Sequence, residues 1–104
     1  MVTQQWPEIG GKQVRYNDAT WELTGAVDVR ETGRSLEVEA KRVDDVRHAT
    51  AGFRFGVGEH PESLNPGNLG DHFDELRQED DQYVLVVKTE RRVYRYELQG
   101  MAYR

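Results

Sequence analysis

The sequence predicts a mainly β fold, about six antiparallel strands forming a small barrel or a curved sheet, with one short helix. Three observations carry that reading. Apolar and polar residues alternate at period two over several segments, which is the mark of a strand with one buried and one solvated face. Two pairs of these segments fold back on each other with their apolar positions in coincidence. Residues 71–78 place Phe73 and Leu76 three apart, the spacing of one short helix.

Residues 12–16 form a first, short strand ahead of the turn residues Asn17-Asp18. In residues 20–30, Trp21, Leu23, Gly25, Val27 and Val29 fall on one face, and Glu22, Thr24, Asp28 and Arg30 fall on the other. From Ser35 onward Leu36, Val38 and Ala40 alternate with Glu37, Glu39 and Lys41. The intervening Glu31-Thr32-Gly33-Arg34 contains a glycine free to take the positive φ of a tight turn. A symmetric turn sets Val29 opposite Leu36, Val27 opposite Val38 and Gly25 opposite Ala40.

In residues 51–57, Phe53, Phe55 and Val57 alternate with Gly52, Arg54 and Gly56, and the glycines mark a bulge or a close backbone approach. Residues 58–70 are a loop by composition, long for so small a domain, and long loops are where binding and catalysis concentrate. Residues 71–78 follow as the short helix, with Asp71 at its cap and Phe73 and Leu76 on one side. Residues 82–88 and 92–98 then pair as a second hairpin. Centred on Glu90-Arg91, it sets Val87 against Tyr94, Leu85 against Tyr96 and Tyr83 against Leu98. Its other face, with Val84, Val86, Val93, Arg95 and Glu97, is a mixed surface suited to partial cover. Trp21 belongs to the core, and Trp6 either plugs an open end of the sheet or marks a contact surface.

The chain has 104 residues, 37% hydrophobic and 32% charged, which suits a single domain over residues 1–104 with a modest core. Without cysteine there is no disulfide framework, thiolate metal site or cysteine nucleophile. No apolar run approaches the roughly 20 residues of a membrane span, and the N-terminal segment lacks the pattern of a secretory signal. A soluble, cytoplasmic protein without membrane attachment is expected.

Acidic residues number 19 against 14 basic ones, a net charge of -5. Lysine occurs only as Lys12, Lys41 and Lys88, and acids cluster at Asp44-Asp45, at Asp71, Asp74 and Glu75, and at Glu79-Asp80-Asp81. In this composition the chain resembles the small, largely uncharacterised acidic proteins of haloarchaea. The resemblance implies a high-salt environment and carries no functional residue with it.

His48, His60 and His72 each lie beside carboxylates, but their spacing matches neither a helical turn nor a hairpin, so no metal site is expected. His60 and His72, at the two ends of the long loop, are the pocket candidates. Ser35 and Ser63 are the only serines and neither lies in a nucleophile elbow, while the glycines at 52, 56 and 58 lack the Lys-Ser/Thr of a phosphate loop. No catalytic residue and no cofactor are assigned.

Residues 88–104 hold five basic side chains against Glu90 and Glu97, a local +3 that leaves -8 for the rest of the chain. Tyr94, Tyr96 and Tyr103 interleave with these arginines, as on sheets that stack single-stranded bases. The hairpin register instead turns Tyr94 and Tyr96 into the core, which disfavours nucleic acid. The expected function is a non-enzymatic protein-interaction or binding module. Arg91, Arg92 and Arg95 are its contact residues, for an acidic protein partner or a second copy of the chain. The alternatives are a small-molecule-binding barrel or enzyme with a pocket under the 58–70 loop, and single-stranded nucleic-acid binding through the C-terminal hairpin.

Overall fold

The computed structural model describes residues 2–58 and 66–104. Their strands are β1 (Val2–Gln5), β2 (Gln13–Tyr16), β3 (Ala19–Arg30), β4 (Ser35–Arg42), β5 (Thr50–Gly56), β6 (Phe73–Glu79), β7 (Gln82–Lys88) and β8 (Val93–Tyr103). All pairings are antiparallel, in the order β1-β3-β4-β5-β8-β7-β6, with β2 also on β3. The single sheet curls into a half-barrel, so the mainly β, curved-sheet expectation holds, with more strands than the six expected.

The long strand β3 sets the curl. Its first half pairs with β2 and its second half with β1. Between the halves the register breaks from Leu23 to Val27, where Gly25 takes φ +97° and accepts a hydrogen bond from the Trp6 backbone N–H at 2.7 Å. The expected pairs Val29–Leu36 and Val27–Val38 are present. Ala40, however, pairs with Leu23 rather than Gly25. The correction has a backbone cause, because a glycine at positive φ lets β3 bulge and bend at the point where it changes partner.

The helix expected at residues 71–78 is corrected to strand β6, preceded by a 3-10 turn over Pro66–His72. Phe73 and Leu76 are three residues apart, which imitates helical spacing. The spacing arises from a bulge between Phe73 and Glu75, so that Phe73 pairs with Val87, Leu76 pairs with Leu85, and both point into the concave face.

That face is filled. Trp6, Trp21, Phe53, Phe55, Tyr94 and Tyr96 are each no more than 1% exposed. Trp21 meets Phe53 edge-on at 5.6 Å, an arrangement favoured by the ring quadrupoles. Trp6 is the plug: it packs on Phe73 at 6.0 Å and lies so close over Gly70 that a Cβ there would come within 2.7 Å of the indole. Across the same opening the Arg15 N–H donates to the Tyr83 hydroxyl at 3.1 Å, tying β2 to β7.

Candidate functional site

The second hairpin adopts the expected register, with Val87 opposite Tyr94 and Leu85 opposite Tyr96. Its turn works without glycine because Thr89 closes it. The Thr89 hydroxyl accepts the backbone N–H groups of Arg91 and Arg92 at 3.3 and 3.1 Å, and the Thr89 N–H donates to the Arg92 carbonyl at 2.8 Å. Arg91 and Arg92 are thereby held exposed on a defined turn.

Pairing of Phe73 with Val87 brings the end of the preceding 3-10 turn to this turn, so two sequence candidates meet. His72 and Arg91, with Thr89 and Glu90, line one open depression of about 360 Å³. Sequence reasoning placed Glu90 in the turn but assigned neither it nor Thr89 to a site; a threonine opening a short loop was the available signal. The Arg91 guanidinium pairs with no carboxylate among the described residues.

Arg95 stands apart from this turn. It lies on the convex face, where its guanidinium makes a two-pronged contact with the Glu79 carboxylate, and Arg77 approaches the same carboxylate at 3.5 Å. The Arg95 hydrogen bond, helped by the charges of Arg95 and Arg77, holds Glu79 below its ordinary carboxylate range and raises Arg95 in turn. This pair joins β6 to β8 and so spans β7, whose Val84 and Val86 point outward yet are 1% exposed. The ion pair thus crosses the strand that carries these valines, and Arg77 and Glu97 flank Val84 while Glu75 and Arg95 flank Val86 in the cross-strand register.

His60 lies outside the described residues. His48 is exposed on the β4–β5 connection, its Nδ1 3.2 Å from the Arg42 carbonyl. Strand polarity puts it at the other end of the sheet from His72. Among the described residues, no group of three or more histidine and carboxylate side chains is placed to hold a metal ion. Nor is any helix there long and apolar enough to cross a membrane. Tyr94 and Tyr96 are buried, so neither ring offers a face for base stacking. Against protein-family models, curated proteins and solved structures, the chain shows no match.

Proposed function

We propose that the chain is a non-enzymatic binding module that engages an acidic protein surface through the β7–β8 turn. One observation carries this reading: Arg91 is presented on a turn fixed by Thr89, without a carboxylate partner among the described residues, in a molecule whose net charge is -5. The filled concave face supports it, because the curl spends its apolar surface on its own core. Arg95, expected as a third contact, belongs under this reading to the cover of β7.

Charge reversal tests the proposal. Arg91→Glu with Arg92→Glu should leave the melting temperature nearly unchanged, since exposed charges contribute about 0–1 kcal/mol, while abolishing capture of the acidic partner by the immobilised protein. Retained capture would overturn it. In the high-salt cytoplasm that the composition suggests, screening within about 3 Å at molar salt leaves only close contacts effective.

The joint lining of one depression by His72 and Arg91 favours a second reading, a small-molecule site at the same place. Its volume of about 360 Å³ is at the small end of ligand sites. His72→Ala should then abolish ligand-induced amide shifts at Thr89 and Glu90 without affecting protein capture.

A further inference from the structure

A second depression, of about 310 Å³, opens on the convex face at the start of β4 and the end of β5, beside the middle of β8. Glu31, Arg34, Ser35, Arg54, Gly56 and Gln99 line it. Arg54 stands directly opposite Glu37 in the β4–β5 register, where a cross-strand ion pair would ordinarily form. It does not form. Glu37 instead turns across Gly52, where a Cβ would sit 2.7 Å from its side chain, and gives its carboxylate to Arg104 and Arg30. On its other side Arg54 faces Gly100, which has no side chain to offer. Arg34 likewise pairs with no carboxylate among the described residues.

Two guanidinium groups that pair with no carboxylate among the described residues therefore line one depression of an acidic protein, beside a hydroxyl and a carboxamide that can both donate hydrogen bonds. The bulge between Arg54 and Phe55 helps build it, because Gln99 is the extra β8 residue there and folds over Gly56. A further donor is close: Arg30, across the β3–β4 register from Ser35, has a buried Nε without a hydrogen-bond partner. Beneath the corner, the Tyr96 hydroxyl donates to the Gly33 carbonyl and fixes the turn that carries Arg34.

We propose that this corner is an oxyanion site in which Arg34 and Arg54, with Ser35 and Gln99, take the phosphate of a small hydroxylated phosphomonoester. Paired guanidinium forks match a dianionic, multi-oxygen group better than a single carboxylate. The Glu31 carboxylate repels further negative charge and accepts a hydrogen bond from a ligand hydroxyl, which selects against bare phosphate and polyanions. The site is separate from the β7–β8 turn, so either can fail alone.

Calorimetry in low-chloride buffer, with glycerol 3-phosphate and inorganic phosphate as probes, tests the assignment. Glycerol 3-phosphate should bind at one saturable site and more tightly than inorganic phosphate. Arg34→Gln and Arg54→Gln should each weaken it by about tenfold or more, with melting temperatures unchanged, and Arg91→Gln should have no effect. Glu31→Gln should erase the preference for the ester. No saturable binding by millimolar probe, or equal binding by Arg54→Gln, would overturn the site. Equal affinity for the two probes would overturn the phosphomonoester, as would tighter binding to vesicles containing phosphatidic acid than to the soluble ester.

Discussion

On the β6–β7–β8 half of the convex face, an arginine–glutamate pair bridges the outer strands and lies over Val84 and Val86 of the strand between them. The β3–β4–β5 half uses the same device over a different floor. There Arg104, at the end of β8, reaches across β5 to Asp28, Glu37 and Glu39, and what lies beneath is Gly52. Valine turns the bridge into a lid over apolar area, so that the charges cover core material. Glycine lets the side chains lie flat on the backbone, and the bridge then draws Glu37 away from Arg54, which has no carboxylate partner among the described residues. Similar alternation of charge thus yields a second packed layer in one half and an open polar surface in the other.

The largest expected contrast comes from placing a carboxylate on each floor. Val84→Asp buries a charge under the lid and should destabilise the domain by about 3 kcal/mol or more. Gly100→Asp enters open space beside Arg54 and should change stability by only about 0.5 kcal/mol in either direction. Equal losses in urea unfolding would erase the distinction between the halves.

Next in size is the buried link between them, the hydrogen bond from Tyr96 to the Gly33 carbonyl. Tyr96→Phe should cost about 1–2 kcal/mol by leaving that carbonyl unpaired. Burial pushes the Tyr96 hydroxyl well above its ordinary value of 10.0. Above that pH the unfolded chain loses its proton first, so wild-type stability falls with rising alkalinity. The phenylalanine variant should lack this contribution, and unfolding curves between neutral and strongly alkaline pH would detect it.

A smaller effect is expected at Arg104, whose hydrogen bond to Glu37 and whose neighbouring carboxylates raise its pKa. Arg104→Gln leaves Asp28, Glu37 and Glu39 facing one another. Because the cluster still reaches solvent, with Arg104 35% exposed, the loss should be about 1 kcal/mol at low salt and mostly recovered at molar KCl. A loss independent of salt would mean that the arginine acts through packing instead. The wild-type melting temperature should itself rise markedly from low to molar KCl if the acidic composition reflects a saline habitat.

The smallest change belongs to Glu79. Its pKa is lowered in the folded state, so its contribution is present above the unfolded carboxylate range and fades as pH falls through the folded value. Glu79→Gln should flatten the acid limb of the stability profile. An unchanged limb would place the acid sensitivity elsewhere, with the Arg42–Asp44 pair, where Asp44 is lowered in the same way, as the next candidate.

Both hairpins were legible because period-two alternation and coincident apolar positions constrain register without knowledge of the rest of the chain. Strand β6 was misread because a bulge and a helix both bring residues three apart onto one face. Strand β1 was not seen at all: Val2-Thr3-Gln4-Gln5 carries little apolar pattern and takes its conformation from the β3 edge it joins. Of the site candidates, Arg91 and His72 meet at one depression, whereas Arg95 is tied to Glu79.

The sequence by itself determined that the chain folds as antiparallel β, which faces of β3, β4, β7 and β8 turn inward, and that Tyr94 and Tyr96 are core residues. These follow from side-chain direction along a strand, a property of two dihedral angles and neighbouring residues. Tertiary structure alone decided which charges are engaged. Among the described residues Arg54 has no carboxylate partner and Arg95 has one because the partner of each is selected across strands that are distant in sequence, Glu37 by Arg104 over Gly52 and Glu79 by Arg95 over β7. Long flexible side chains can reach several strands, and only the curl and register of the whole sheet determine which charge lies within hydrogen-bond distance.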